Sequence, residues 1–562
     1  MTVSTAQDPI TLEVVRNKLD GIANEMESTL LRSSFSPIVR EGMDASASLF
    51  TLEGETLAQA IAIPAHLAML IPIVRKFIEE FPPSSSREGD IYLMNDPYHG
   101  GTHLPDIALV TPIFVNGRVI AYAGSMTHHQ DVGGMAPGSI PTNATEIYQE
   151  GLRLPPLKLR SGKDFNETLL KILKLNTRIP ETFLGDLHAQ VASCTVGERR
   201  LKELAKVYGE NQLISIFNEL LDRSEAMTRK ALSAIPPGTY KYVDYLDNDG
   251  IELDKKIRIE VAVTIGNGTM HCDFTGSSPQ VRGPFNCVPS GSAAAAFFAA
   301  RVITGSDIPT NGGCFRPVTL HLPENSIVNP REPAAVNARS ATIKRICCNI
   351  VGALREAVPA RVGADAAGEM LAIMFGGRRD NGRPFVVGEL IAGGSGAGLE
   401  SDGVDVIETD ATNCMNLPVE SLERDAPIRV HRTALRTDSG GAGRFRGGLG
   451  IVREYEVLKG EITFTYRGER HFCASAGAQG GSEGGMARAV IHRADGRVEC
   501  IPSKLVTTLH SSDRVIIETA GGGGWGDPAS RDATLVKTDV ANGKVSAQQA
   551  DHLYCRAPQR AG

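Results

Sequence analysis

The sequence has no apolar run long enough to cross a membrane. The longest candidate, residues 60–74, is interrupted by Pro64, His66 and Pro72, whereas a membrane-spanning helix needs about 20 predominantly apolar residues. The N-terminal segment MTVSTAQDPI lacks the basic and then apolar pattern of a secretory signal. We therefore expect a cytoplasmic protein that does not associate with membranes.

Charge of one sign is also not in large excess. The 562 residues include 58 basic and 65 acidic side chains, which gives a net charge of −7. This balance provides no electrostatic reason to bind nucleic acid. The ten cysteines form no C-x-x-C pair, so we interpret them as reduced, mostly buried thiols of a cytosolic protein.

Familiar nucleotide-binding motifs are lacking as well. No G-x-x-x-x-G-K-[ST] segment occurs, so the chain shows no familiar place to bind ATP. Gly521, Gly523 and Gly526 satisfy G-x-G-x-x-G after an apolar strand pattern, but the segment that follows, DPASRD, is not an apolar helix. We favour a close-packed loop or a substrate-lining backbone over a dinucleotide site. The lone Trp525 is interpreted as core packing.

Histidine is concentrated in residues 95–131, NDPYHGGTHLPDIALVTPIFVNGRVIAYAGSMTHHQD, which hold four of the 13 histidines. Asn116-Gly117 is a strong hairpin turn signal between two apolar runs of similar length. The four histidines, His99, His103, His128 and His129, flank the open ends of this predicted hairpin.

The turn predicts which residues meet at those open ends. If the residues that flank the turn face each other, Asp106 lies across from Thr127 and Pro105 across from His128. Strict alternation then places Asp106 and His128 on opposite faces, so the segment 102–106 must turn to bring His103, Asp106 and His128 together.

Pro112 lies inside the first run and cannot donate a ladder hydrogen bond. It suggests an edge strand or a β-bulge, which leaves the register uncertain by about one residue. The convergence of the three side chains survives such a shift.

Imidazole and carboxylate ligands together favour Zn²⁺, Mn²⁺ or Fe²⁺ over Ca²⁺, which prefers an all-oxygen cage. One alternative is the facial triad of a non-haem iron oxygenase, although His103 and Asp106 are three residues apart instead of two. The other alternative is that polar residues at a strand end cap turns and face water.

Along the chain, the patterns predict an α+β, multidomain architecture with mixed sheets and helices and a β-rich, glycine-dense C-terminal part. A long helix starts at Asp8-Pro9, and residues 166–234 are almost wholly helical in pattern. We predict four segments: a metal-binding α+β domain (1–160), a helical segment (161–236), an α+β domain (237–426) and a glycine-rich β domain (427–562).

Several long motifs resemble the hydantoinase B/oxoprolinase family, and the resemblance runs from about residue 8 to about residue 550. They are NDPYHGGTHLPD (95–106), HHQDVGG (128–134), PGSIPTNATEIYQEGLRLPP (137–156), SGGAGRFRGGLG (439–450) and GGGGWGDPASRD (521–532).

The resemblance implies a set of metal ligands for one divalent transition metal, Mn, Zn or Fe. Matched to the family's motifs, they are Asp44 of the REGMD segment, His103 and Asp106 of THLPD, and His128, the first histidine of HHQD. His129 and Asp131 are then candidates for catalytic proton transfer, or for orienting the ligands.

The resemblance also implies the reaction. In this family an ATP-binding, hydantoinase A-like partner subunit handles ATP and Mg²⁺, and the metal subunit uses metal-bound water to attack a phosphorylated cyclic amide such as a hydantoin, oxoproline or lactam. We therefore expect a small-molecule substrate and a hetero-oligomer. The alternatives are a subunit of an ATP-dependent ketone carboxylase, an iron oxygenase and a non-catalytic scaffold subunit.

Further polar residues receive weaker interpretations. Arg339, Arg345 and Arg467 either orient an anionic intermediate or lie on the surface. By resemblance, two other segments line the site without an assigned role; they contain Glu146 and Glu150, and Asn413, Asn416 and Glu420.

Overall fold

A computed structural model describes residues 8–61 and 63–554 of the chain. Helices and several sheets alternate along it, which confirms the α+β multidomain class. The first seven residues, which make up most of the segment used to predict the lack of a secretory signal, lie outside the described residues. Among the residues that are described, no helix is both long and apolar enough to cross a membrane.

The N-terminal part is built on a seven-stranded antiparallel sheet with the order β2-β1-β5-β4-β3-β6-β7. Its strands are β1 (Ala45–Phe50), β2 (Thr56–Gln59), β3 (Ile91–Met94), β4 (Asp106–Val115), β5 (Arg118–His128), β6 (Leu157–Ser161) and β7 (Asp164–Phe165). The predicted hairpin strands β4 and β5 thus lie in the centre of the sheet.

Helices cover both faces of this sheet. They are α1 (Pro9–Ser33), α2 (Pro37–Arg40), α3 (Pro64–Glu80), α4 (Glu167–Leu175), α5 (Pro180–Tyr208) and α6 (Glu210–Ser233). One core joins α1, α5 and α6 to one face, and another joins α3 to the opposite face. The predicted helix start is confirmed, because the Asp8 carboxylate accepts a hydrogen bond from the Thr11 N–H at 3.0 Å.

The middle of the chain forms a four-stranded sheet with the order β11-β10-β9-β8. Its elements are β8 (Gly238–Leu246), β9 (Ile257–Gly266), β10 (Thr269–Asp273), α7 (Pro289–Thr304), β11 (Val318–His321) and α8 (Arg339–Ala353). Helix α8 is buried almost all round, and its first residue, Arg339, points towards the seven-stranded sheet through a contact with Asp106.

Two more sheets complete the fold, with the orders β13-β12-β16-β19 and β14-β15-β20-β17-β18. Their elements are β12 (Leu371–Arg378), β13 (Pro384–Ile391), α9 (Val419–Asp425), β14 (Ile428–Leu435), β15 (Ile451–Val457), β16 (Glu461–Arg467), β17 (Arg488–His492), β18 (Val498–Cys500), β19 (Lys504–His510), β20 (Arg514–Glu518), α10 (Ala533–Ala541) and α11 (Ala547–Leu553). One sheet therefore joins residues from both sides of the boundary predicted at residue 426, and the domain limits stay predictions.

Glycine-rich segments pack against one another beside these sheets. A Cβ atom on Gly521 would lie 1.8 Å from the Ser439 carbonyl oxygen, and one on Gly522 would lie 1.8 Å from that of Ser395. The backbone of 520–526 hydrogen-bonds to several separate segments. This confirms a close-packed loop. Trp525, only 4% exposed, packs in a small apolar cluster as predicted.

Candidate metal centre

The hairpin of β4 and β5 positions the centre. Asn116 and Gly117 both adopt positive φ, 50° and 78°, as a type I′ turn requires. Beyond the turn, a register shift between Ile113 and Phe114 inserts a bulge. The predicted hairpin and the bulge suggested by proline are both confirmed.

The bulge corrects the predicted register. Asp106 pairs with His128, not with Thr127, so the carboxylate and the imidazole lie directly opposite each other and no longer on opposite faces. The suggestion of an edge strand was wrong. Strand β4 is central, and it tolerates Pro112 because its other neighbour, β3, pairs only with residues 108–110.

His103, Asp106 and His128 converge as predicted. His103 Nε2 lies 2.9 Å from Asp106 Oδ1, His128 Nδ1 lies 3.2 Å from the same oxygen, and the two ring nitrogens are 3.2 Å apart. Of the described residues, these three form a group whose ligand atoms could hold one metal ion. Two imidazoles and a carboxylate fit a divalent transition metal.

Two further side chains border this group. Asp44, which precedes β1, has Oδ2 4.0 Å from His128 Nδ1, and its role as a fourth ligand stays a prediction. His66, in the first turn of α3, has Nε2 3.6 Å from Asp44 Oδ1 and 3.7 Å from Asp106 Oδ2. In the sequence, His66 stands out only as an interruption of an apolar run. The signal that could have identified it is a single histidine within the otherwise apolar pattern of a buried helix.

The electrostatics keep two of the potential ligands, Asp106 and His103, in their metal-binding forms. Burial alone would raise the pKa of Asp106, but His103 and Arg339 outweigh it and hold the pKa well below its usual range. Burial, reinforced by Arg339, lowers the pKa of His103 to about 3, and burial also lowers the pKa of His66. Neutral imidazole and ionised carboxylate are the forms that bind a metal.

A hydrogen bond from outside the sheet orients His103. Its Nδ1 lies 3.0 Å from the Asn337 carbonyl oxygen, which leaves Nε2 to face the cluster. The Glu150 carboxylate in turn accepts the N–H groups of Val336 at 3.0 Å and Asn337 at 2.8 Å. Glu150, one of the residues without an assigned role, therefore fixes the segment that orients His103.

His129 and Asp131 lie elsewhere. His129 Nε2 is 3.0 Å from Gln190 Oε1 on α5, and its ring packs against Phe183. Asp131 forms an ion pair of 2.8 Å with Arg178. Neither side chain belongs to the His103 group, and their part in proton transfer stays a prediction.

The cluster opens into a cavity with largely apolar walls. Residues from many separate segments of the chain line it, including Ile63, Ile140, Met374, Leu390 and Leu417. Of the segment that contains Asn413, Asn416 and Glu420, the lining residues are Thr412, Cys414 and Leu417; the three polar residues named from the sequence are themselves exposed.

All three arginines singled out from the sequence are buried, so the surface alternative was wrong. Arg339 and Arg467 line the cavity. Arg345 instead pairs with Asp244 at 2.6 Å. The two lining arginines thus place positive charge beside the candidate metal-ligating group of His103, Asp106 and His128.

Comparisons with known proteins agree with the family resemblance of the sequence motifs. A family model described as hydantoinase B/oxoprolinase matches residues 8–528. The chain is 37% identical to an uncharacterized protein of Methanocaldococcus jannaschii, with 97% of this chain and 96% of that protein covered. It is 34% identical to the caprolactamase subunit beta of Pseudomonas jessenii, with 97% and 96% covered.

Solved structures share the fold. The ATP-dependent caprolactamase from Pseudomonas jessenii aligns with a TM-score of 0.89 and 31% identity, over 98% of this chain and 97% of that chain. A nucleotide-free acetone carboxylase aligns with a TM-score of 0.90 and 20% identity, over 98% of this chain and 79% of that chain. The matched family model spans most of the sequence, and we conclude that the chain belongs to the hydantoinase B/oxoprolinase family.

Proposed function

We propose that this chain is the metal-dependent subunit of an ATP-dependent cyclic amide hydrolase. The observation that carries the proposal is the convergence of His103, Asp106 and His128 within 3.2 Å at a largely apolar cavity. The resemblance in sequence to a caprolactamase subunit supports the substrate class.

An unstrained amide resists hydrolysis because resonance is lost when water adds to its carbon. Transfer of the ATP γ-phosphoryl group to the amide oxygen removes that resonance and releases ADP. Addition of water then allows the ring C–N bond to break. The nitrogen gains a proton, and the carbonyl carbon becomes part of an acyl phosphate. A second water then hydrolyses the acyl phosphate, so that the carbon ends as a carboxylate and phosphate leaves.

His103, Asp106 and His128, with Asp44 as the fourth residue, would hold a Mn, Zn or Fe ion in this chain. Such an ion supplies Lewis acidity, which brings the pKa of water close to neutral. His66 lies within 3.7 Å of both carboxylates, and its Nδ1 atom has no hydrogen-bond partner among the described residues. His66 would then accept or release a proton during ring opening, and His129 and Asp131 stay the predicted residues for proton transfer.

The largely apolar walls limit the water that can reach the activated carbon. ATP and Mg²⁺ would be bound by a hydantoinase A-like partner subunit, because this chain has no phosphate-loop sequence. The active form would then be a cytoplasmic hetero-oligomer.

The test mixes the chain with such a partner, ATP and a set of lactams, hydantoins and oxoproline, and measures ring opening and ADP. We expect His103→Ala to abolish ring opening. The matched control is His99→Ala, because the His99 side chain is 46% exposed and contacts Asp96 instead of the cluster. Full activity of His103→Ala would support a scaffold role, and oxygen uptake without ATP would support an oxygenase.

Ketone carboxylation is the alternative outcome of the same assay. The likeness to acetone carboxylase at 20% identity shows a shared fold alone. Incorporation of labelled bicarbonate into a ketone, with no ring opening of any cyclic amide, would replace the hydrolase proposal.

A further inference from the structure

The cavity contains a buried positive charge that forms no ion pair with a carboxylate of the described residues. Arg467, at the end of β16, is 4% exposed and lines the same cavity as the metal-ligating group. No carboxylate in residues 8–61 and 63–554 lies within 4.0 Å of its guanidinium nitrogens. Its polar partners are the Asn337 carbonyl oxygen at 3.4 Å, Asn337 Oδ1 at 3.3 Å and Ser340 Oγ at 3.4 Å.

The hydrogen bonds to Arg467 are long, and its Nε atom has no partner in the described parts of the chain. Burial and the neighbouring Arg339 outweigh the attraction of Glu150 and lower the pKa of Arg467 to about 10, so the guanidinium is still charged at neutral pH. A buried charge without a counter-charge is strongly unfavourable. A fully buried arginine with long, neutral contacts therefore points to a group that arrives from outside the chain.

The nearby acidic residues are already engaged. Asp106 accepts Arg339 Nη2 at 2.5 Å and faces the imidazoles. Glu150 accepts two backbone N–H groups, and Glu389 pairs with Arg453 and Tyr455. When a divalent ion is held by the cluster, positive charge in the cavity exceeds negative charge, which increases the need for an anion.

The Nε atom of Arg339 likewise has no hydrogen-bond partner among the described residues. We propose that Arg467, together with Ser340 and the Nε edge of Arg339, forms an oxyanion site beside the metal-ligating group. The planar fork of a guanidinium suits the oxygens of a phosphoryl or carboxylate group. The start of α8, at Arg339, adds the partial positive charge of a helix N-terminus.

The site deepens the proposed function and rests on it for the origin of the anion. One source is the phosphoryl group on the activated amide, in which case the site accepts any cyclic amide after activation. The other source is a carboxylate carried by the substrate itself, in which case the site selects anionic cyclic amides. The oxyanion chemistry is shared by both.

The first experiment measures thermal unfolding and calorimetric binding of the isolated, metal-free chain with inorganic phosphate and with acetate. We expect an anion to raise the Tm of the wild type, and its affinity to fall by about tenfold or more in Arg467→Met. Arg467→Lys should retain part of the affinity. Tighter binding of phosphate indicates the phosphoryl source, and tighter binding of acetate indicates the carboxylate source.

A matched pair of buried arginines separates binding from a structural role. Arg453 is also buried in this region but pairs with Glu389. Without added anion, Arg453→Met should lower the Tm, whereas Arg467→Met should leave it unchanged or raise it, because an uncompensated charge is removed. If Arg453→Met does not fold, the anion affinities and Tm values of the wild type, Arg467→Met and Arg467→Lys still decide whether Arg467 binds an anion.

The proposal is overturned if neither anion affects the wild type, if Arg467→Met responds like the wild type, or if its Tm falls sharply without an anion. These measurements use no ATP, metal or partner subunit. A failure of the hydrolase assay would therefore leave the oxyanion site standing, and a failure here would leave the hydrolase proposal standing.

Discussion

Asp106 is the residue on which the candidate metal centre converges. Its carboxylate contacts His103, His128, Arg339 and the Thr102 hydroxyl, and it is 1% exposed. Of these five residues, the sequence predicted that three, His103, Asp106 and His128, lie together. The hairpin predicted the partners that are near in sequence, whereas Arg339 approaches through the packing of α8.

The first prediction concerns metal content. The purified protein should hold about one Mn, Zn or Fe ion per chain. His103→Ala or Asp106→Ala should abolish retention of the ion, because the few remaining protein ligands can then be replaced by water. Elemental analysis checks both variants, with His99→Ala as the control that keeps the ion. Full occupancy in both ligand variants would rule out this centre.

The second prediction concerns the histidine that follows His128. His129→Gln should retain the ion, because the His129 ring faces Gln190 and Phe183. If His129 assists proton transfer, turnover should fall by roughly 10²- to 10⁴-fold and one limb of the pH profile should flatten. If His129→Gln has a lowered Tm but normal turnover per folded molecule, the role of His129 is to stabilise the fold by packing. Asp131→Asn is tested in the same way.

The third prediction concerns pH and His471, which does not belong to the metal-ligating group. Burial lowers the pKa of His471 from 6.5 to about 4, so the unfolded chain takes up a proton at a higher pH than the folded chain does. The free energy of unfolding should therefore decrease as the pH falls from about 6.5 to about 4. In denaturant titrations, His471→Gln should weaken this decrease; an identical pH dependence in both proteins would contradict it.

At the scale of elements, the hairpin of β4 and β5 was predictable because local turn chemistry fixes it. The bulge between Ile113 and Phe114 was suggested by Pro112 but could not be placed, since its position depends on how β3 and β1 pair on either side. His66 was missed because it lies on α3, an element separate from the hairpin, which approaches the cluster only in the folded chain. Local sequence signals thus predict the two strands of the hairpin, whereas the residues that other elements bring to the site depend on long-range packing.

The fourth prediction tests the turn. Gly117 has φ +78°, so Gly117→Ala should lower the free energy of unfolding by about 1 kcal/mol through backbone strain. The matched control is Gly21→Ala in α1, which also meets nothing within 4 Å but has no positive φ. It should stabilise the protein by roughly 0.5–1 kcal/mol, because alanine favours a helix. Equal effects of both changes in denaturant unfolding would refute the argument.

At the scale of the whole molecule, the sheets and helices were largely predictable in kind. The helical run 166–234 and the long first helix follow from apolar periodicity, and the structure contains both. The joining of β12 and β13 with β16 and β19 in one sheet could not be foreseen, because strand pairing between distant segments leaves no periodic signal in either segment.

The fifth prediction concerns partnership. The isolated chain should neither bind nor hydrolyse ATP, since it lacks a phosphate loop, and ring opening should appear only after mixing with a hydantoinase A-like subunit. Calorimetry with ATP and an assay of each subunit alone check this. Tight ATP binding by the isolated chain would contradict it.

The packing of the glycine segments has a consequence at the level of the gene. At Gly521 and Gly522 even a methyl group would overlap a neighbouring carbonyl oxygen, 1.8 Å away in each case. Every missense change of a glycine codon adds at least that methyl group, so these codons should tolerate synonymous changes alone. Random mutagenesis for new substrates should therefore return this stretch unvaried, and useful diversity should collect instead in codons for the cavity walls.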